Sequence, residues 1–275
     1  MLELEPEDIH KPTKEIIVQL HQNQPIIVKS DGDDSIYRFR AGEFKSIRRS
    51  AIGKTRIKPK NLEQDFAVDI LCDPTISSVA IIGSAGSGKT LLAVASAISQ
   101  KNTYSQILVA RPAVELSDKT LGFLPGTLEE KYNPYLAPIR SACRLISEAM
   151  DESSKHKDQK CEQKFDASKW MEEHGIELLP LSTIRGDTFN HAFIIVDEAQ
   201  NLTPIEVKTI VSRAGDGTKV VFTGDINQID IPYLSKESNG LSHLIDRFRG
   251  KDYFAYIEMK YSVRSALAEQ ADKLL

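Results

Sequence analysis

The chain has 275 residues, 41% of them hydrophobic and 27% charged, with a formal net charge of −4. That balance excludes a globally basic nucleic-acid binder, so any such partner must meet a local basic surface. Three widely spaced cysteines, Cys72, Cys143 and Cys161, without a C-x-x-C pair, exclude a disulfide framework or zinc site and fit a reducing cytoplasm.

The N-terminus opens MLELEPEDIH, acidic where a signal peptide would be basic and then apolar. No apolar run approaches bilayer-spanning length, so a soluble cytoplasmic protein with no membrane partner is expected. Short β-like runs follow at Ile16–Leu20, Pro25–Lys29 and Ile36–Arg40, with a turn-rich stretch at Ser30–Asp34. They predict a small β-rich N-terminal segment over residues 1–58, a hairpin or part of a small barrel. The run Lys45–Lys60 carries seven basic residues and no acid; it reads equally as a strip along a phosphate backbone or as a solvated linker. Pro59 and the cap-like Asn61 then introduce a helix over Leu62–Cys72, with Leu62, Phe66 and Ile70 four residues apart.

From there strands and helices alternate. Val79–Gly83 is a buried-type strand, Lys89–Ser99 an Ala-rich helix and Gln106–Ala110 a second strand. Leu128–Met150 is mostly helical once past Pro134 and Pro138. Asp151–Lys169, charged and almost without aliphatics, reads as a mobile surface insertion. Ile176–Leu181, Ala192–Val196, Lys219–Thr223 and Tyr253–Met259 are further strands; Thr203–Arg213 and a closing Ser265–Leu275 are helices. The alternation predicts an α/β domain over residues 59–275, a parallel sheet with helices on both faces.

Gly83-Ser-Ala-Gly-Ser-Gly-Lys-Thr90 satisfies G-x-x-x-x-G-K-[ST], between a strand and a helix as that motif requires. Glycines let backbone N–H groups converge on phosphate oxygens, and the helix N-terminus adds partial positive charge. The nucleotide-binding set is Gly83, Ser84, Ala85, Gly86, Ser87, Gly88, Lys89, Thr90 and Leu91, for ATP. Lys89 would reach the β- and γ-phosphates, and Thr90 would offer its hydroxyl to Mg²⁺. A second GKT at Gly53–Thr55 lacks the upstream glycine and strand, and is chance.

Phe193-Ile-Ile-Val-Asp-Glu-Ala-Gln200 is a buried-type strand ending in two acids. Asp197 can hold Mg²⁺ through water, and Glu198 can polarise the attacking water; read alone, the pair could also cap the next helix. Val220–Asp230 is another strand running into polar residues, from which Gln228 or Asp225 could sense the γ-phosphate.

Together GSAGSGKT, LGFLPGTLEEKYNPYLAPI (Leu121–Ile139), TIRGDTFN (Thr183–Asn190), FIIVDEAQN and TGDINQID resemble the PhoH family of P-loop ATPases. NGLSHLIDRF (Asn239–Phe248) and RSALAEQA (Arg264–Ala271) resemble the branch often fused behind a PIN-type ribonuclease domain. The resemblance runs from about residue 59 to the C-terminus. It implies a RecA-like fold similar to superfamily-1 helicases, and ATP-dependent RNA unwinding. No PIN domain is expected before the core, so intrinsic ribonuclease activity is not; the N-terminal β segment resembles the connector of fused members. The resemblance also places Gln64 where a glutamine reads the adenine edge, and Arg111 in a strand-end motif that touches nucleic acid. A helix-surface glutamine and a salt-bridging arginine remain the alternatives.

Phosphoryl transfer needs an arginine against the charge building on the γ-phosphate. The chain has length for only one RecA-like domain, so this finger comes from the same domain or a neighbour. Arg264 and Arg213 are the candidates, and a homo-oligomeric ring, a hexamer, is what the family suggests. The leading expectation is an ATP-driven RNA helicase or remodeller acting on single-stranded RNA. The alternative is an ATP-dependent switch controlling a partner such as a separate ribonuclease; a small-molecule kinase lacks an acceptor lid.

Overall fold

The computed structural model describes residues 2–10, 13–30, 34–47, 55–112, 136–153, 165–181 and 184–261. Arg264, the Ser265–Leu275 helix, most of the Leu121–Ile139 block and the middle of both the Lys45–Lys60 run and the Asp151–Lys169 segment lie outside the described residues.

The N-terminal part holds strands β1 (Leu2–Leu4), β2 (Gln24–Val28), β3 (Ser35–Arg40) and β4 (Glu43–Ser46), and helices α1 (Pro6–His10) and α2 (Lys14–Gln19). The strands form one sheet in the order β1-β2-β3-β4. Ala41 and Gly42 turn β3 into β4 with both φ values positive, 52° and 81°, the geometry of a tight hairpin. The β-like run at Ile16–Leu20 is helical. Thr13 caps it by accepting from Ile16 N–H, Ile16, Ile17 and Leu20 turn toward Ile26 and Phe39, and Val18 is left 83% exposed. In a strand Val18 would share a face with Ile16 and Leu20.

The second sheet has six strands, all parallel, in the order β10-β5-β9-β8-β6-β7. They are β5 (Ser78–Gly83), β6 (Gln106–Ala110), β7 (Ile176–Leu178), β8 (Ala192–Val196), β9 (Lys219–Gly224) and β10 (Phe254–Met259). The chain starts in the middle at β5, crosses to β6 and β7, returns through β8 and β9, and ends at β10 on the other side of β5. This is the RecA-like P-loop arrangement, in which ligands sit beyond the carboxyl ends of the strands. Register brings those ends level: Met259 pairs with Gly83, Ile82 with Gly224, Phe222 with Val196, and Val196 with Ala110.

Alternate residues along each strand feed two cores. Val79, Ile81, Phe193, Ile195 and Ile257 pack beneath α3 (Leu62–Cys72), α4 (Lys89–Ser99) and α5 (Ala137–Ser153). Ala80, Ile82, Ile194, Val196 and Phe222 pack beneath α7 (Pro204–Val211) and α8 (Gly240–Phe248). A capping box, Thr203 with Glu206, and Pro204 in the first turn start α7. Asp166 caps the short α6 (Ala167–Glu173) within the stretch expected to be irregular.

At the far end of α3 lies a charged knot that joins the two sheets. Lys219 is fully buried and donates to three carbonyls there, Ile70 (3.2 Å), Leu71 (2.8 Å) and Asp73 (2.7 Å). Burial pushes its ammonium down to about 7, against the attraction of Cys72 and Asp73. The folded state therefore binds fewer protons than the unfolded state above that pH, and stability rises with pH. Burial pushes the Cys72 thiol up, which acts in the opposite sense above pH ~9, where unfolded thiols ionise. Between roughly pH 7 and 9 the stability measured by urea unfolding is expected to climb by up to ~1.4 kcal/mol per pH unit. Lys219→Met should flatten that climb; an equal slope in the variant would clear Lys219 of causing it.

Candidate active site

The loop after β5 carries Gly83–Thr90 into the first turn of α4. Gly83 has no room for a side chain, because a Cβ would collide with the Met259 carbonyl on β10. Gly88 stands at φ 92°, in the region glycine enters without strain, and begins α4. Lys89 Nζ donates to the carbonyls of Gly83 (2.7 Å) and Ser84 (2.9 Å), so the ammonium folds back across the loop it serves. Ser87 is buried, and its hydroxyl has no hydrogen-bond partner among the described residues.

Beside the loop, Asp197 follows β8 and is 2% exposed. Its Oδ1 accepts from Thr90 Oγ1 at 2.9 Å and from Thr223 Oγ1, on β9, at 2.6 Å. Its Oδ2 accepts no hydrogen bond from the described residues and lies 3.6 Å from Arg111 Nη1. A buried carboxylate oxygen without a donor, next to a threonine hydroxyl at the phosphate loop, suits a hard divalent cation with water in its shell. The residues present therefore fit Mg²⁺.

Glu198 comes next in a left-handed conformation, φ 55°, which costs a non-glycine residue about 1 to 2 kcal/mol. The turn swings its carboxylate away from the strand line and leaves it partly exposed beside Asp197. Oε1 meets Arg111 Nη2 at 3.3 Å, and Oε2 accepts from Gln200 Nε2 at 2.6 Å. Glu198 stands at the N-cap position of the 3-10 helix Ala199–Asn201 but its side chain makes no cap hydrogen bond there, and α7 is capped by Thr203.

The other expected site residues fall in three places. Gln64 lies at the loop, though not as a surface residue: it is buried, its Nε2 donates to Ser87 O at 3.0 Å, and its Oε1 accepts from Lys60 N–H at 2.8 Å. Gln228 and Asp225 follow β9, and Gln228 O accepts from Gln200 Nε2 at 2.9 Å. Arg111 ends β6 with its guanidinium on the two acids. Arg213, by contrast, sits at the amino ends of the strands, where its carbonyl accepts from Phe189 N–H just before β8. It cannot reach its own phosphate loop.

Two contributors escaped the sequence reading. Glu63 is buried and accepts from the N–H groups of Lys260 and Tyr261, fastening the end of β10 to the start of α3. Gln200 lay inside the DEAQ motif without a role, because a carboxamide declares its partners only in three dimensions.

The family model of the PhoH-like protein matches residues 56–275. Protein PhoH2 of Bacillus subtilis is 39% identical over 229 residues, covering 80% of this chain and 48% of that protein. A PhoH-like protein of Mycobacterium tuberculosis is 44% identical over 182 residues, covering 66% of this chain and 46% of that protein. The chain thus spans about half the length of these curated relatives. Among solved structures, the large terminase of a thermophilic bacteriophage gives a TM-score of 0.40 at 15% identity, covering 79% of this chain and 51% of the other. A Bacteroides Pif1 helicase in complex with ADP-AlF3 and single-stranded DNA gives 0.35 at 16% identity, covering 78% and 45%.

Proposed function

The chain belongs to the PhoH-like protein family, and on that premise we propose that it hydrolyses ATP to drive remodelling of single-stranded RNA, as a ring of identical subunits. The convergence of the Thr90 and Thr223 hydroxyls on Asp197 Oδ1 beside the phosphate loop carries the ATPase part of the reading.

In this proposal the loop amides of residues 83–91 cradle the phosphates, and Lys89 leaves the Gly83 and Ser84 carbonyls for the β- and γ-phosphates. Thr90 and Asp197 would hold Mg²⁺, which would neutralise phosphate charge. Glu198 takes a proton from water as its oxygen attacks the γ-phosphorus; the bond to the β-γ bridging oxygen breaks, and ADP and phosphate leave. Gln228 senses the γ-phosphate from the loop after β9. Gln64 sets the loop's position and keeps a hydrogen-bonding valence on each end of its carboxamide for adenine. Arg213, remote from its own site, could serve only a neighbour's, and with Arg264 it is a candidate finger across a subunit boundary. Arg111, whose guanidinium lies by Asp197 and Glu198 at the end of β6, is the candidate for contact with an RNA phosphate.

The test is the ATPase rate with and without single-stranded RNA. Stimulation of several-fold or more, lost in Lys89→Ala, is the expected result. An unchanged rate together with ATP-controlled oligomerisation would replace RNA remodelling with a nucleotide switch that governs a partner, such as a separate ribonuclease.

A further inference from the structure

Gln200 lies on the one-turn 3-10 helix Ala199–Asn201 and is fully buried. Its carboxamide makes three bonds. Nε2 donates to Glu198 Oε2 at 2.6 Å and to Gln228 O at 2.9 Å, and Oε1 accepts from Asp225 N–H at 3.0 Å. The backbone partners fix which way the amide points, since a peptide N–H only donates and a carbonyl only accepts. The fit behind it is equally close: a Cβ on Gly224 would lie 2.5 Å from Gln200 Oε1. The adjacent Asn201 makes a second clamp, donating to Asp230 Oδ2 at 2.9 Å and accepting from Asp230 N–H at 2.8 Å. The loop from Asp225 to Asp230 is thereby tied at both ends to the turn that carries Glu198.

We propose that Gln200 is a positioning residue for hydrolysis, holding the Glu198 carboxylate in its working orientation against the Asp225–Gln228 loop. The proposal rests on the reading of Glu198 as general base. Glu198 itself stands in a left-handed backbone conformation and is partly exposed, so its side chain has rotamer freedom to lose. Arg111 meets one oxygen at 3.3 Å and also lies 3.6 Å from Asp197, so it is shared between the two acids. Gln200 grips the other at 2.6 Å and is itself held by two backbone groups that need not move. A group that orients a catalytic side chain in this way is worth about 10- to 100-fold in activity when removed.

The experiment is steady-state ATP hydrolysis by the full chain carrying Gln200→Met or Gln200→Glu, beside binding of a non-hydrolysable ATP analogue. Gln200→Met keeps the volume and removes all three bonds; kcat should fall about 10- to 100-fold while KM and analogue affinity stay within about twofold. A merely structural role would lower analogue binding and kcat together. Gln200→Glu keeps the shape and tests the contact should the methionine variant not fold. It replaces the amide that donates to Glu198 Oε2 and Gln228 O by a carboxylate, so kcat should fall while analogue affinity holds. A Gln200→Met enzyme with wild-type kcat, or a Gln200→Glu enzyme with wild-type kcat, overturns the proposal. Glu198→Gln in parallel separates the two readings. If it turns over normally the base assignment fails; if it is inactive while the Gln200 variants behave as wild type, only the positioning role fails.

Discussion

Glu198→Gln should lower ATP turnover by about two to four orders of magnitude and leave ATP bound, the usual loss when a general base is removed. The substitution keeps the side chain's shape and its place beside Asp197, and the new carboxamide can rotate to present its oxygen to Gln200 Nε2. What it loses is the ability to accept a proton from water. Lys89→Ala should behave differently, because its ammonium faces the phosphate loop and not the water: nucleotide affinity and turnover should fall together. Fluorescent-nucleotide titration beside a phosphate-release assay separates the two patterns. A Glu198→Gln protein that releases phosphate at the wild-type rate would remove Glu198 from the chemistry and point to water activated by another group near the γ-phosphate.

That these two residues fall where a phosphate loop starts a helix and where a buried strand stops was legible in the sequence for a physical reason. A phosphate cradle needs glycines at fixed intervals before a helix, and a cation site needs acids where an apolar strand stops, so both write themselves into local pattern. The six parallel strands were legible likewise, since strands buried on both faces read as unbroken aliphatic runs such as Ala192–Val196. What failed was local ambiguity: Ile16–Leu20 has the β-branched composition of a strand, and only Thr13's cap and the burial of Ile17 show it to be a turn and a half of helix. Residues whose role is to hold other residues were invisible. Gln200, Glu63 and Lys219 find their partners far along the chain or across strands, and nothing in a polar residue's neighbours announces a tertiary hydrogen bond. Arg111 shows the same limit, since its strand-end position was readable and its grip on Asp197 and Glu198 was not.

The largest expected loss of stability lies away from the phosphate loop, at Arg38. This β3 residue is 4% exposed and reaches Asp69 at 3.4 Å and Asp73 at 2.7 Å, both at the end of α3. Arg40 adds a contact to Asp73 at 3.1 Å, and Thr75 donates to its other oxygen from both N–H and hydroxyl. Burial would push the Asp73 carboxyl up, but the bonds from Thr75 and Arg38 outweigh it and hold the group well below the usual carboxylate range. A depressed carboxyl contributes stability that is fully present above the unfolded pKa of ~3.9 and lost as pH falls through the folded value. Arg38→Met should therefore destabilise the chain at neutral pH by about 3 to 5 kcal/mol, the cost of stripping one partner from a buried pair. The lower end is expected, because Arg40 and Thr75 remain on Asp73. Acid unfolding of the variant should also begin at a higher pH, since less holds the carboxyl ionised. Adding Asp69→Asn should return part of the loss by removing a buried charge that no longer faces Arg38, so the two changes together should cost less than their sum. Urea unfolding of the four proteins at neutral and mildly acid pH decides it; additive losses would mean that Arg38 is not coupled to Asp69 and acts through Asp73 or packing. Nucleotide affinity should change little, because the start of α3 is held separately at the phosphate loop, by Asn61 capping the helix and Gln64 bonding Ser87 O.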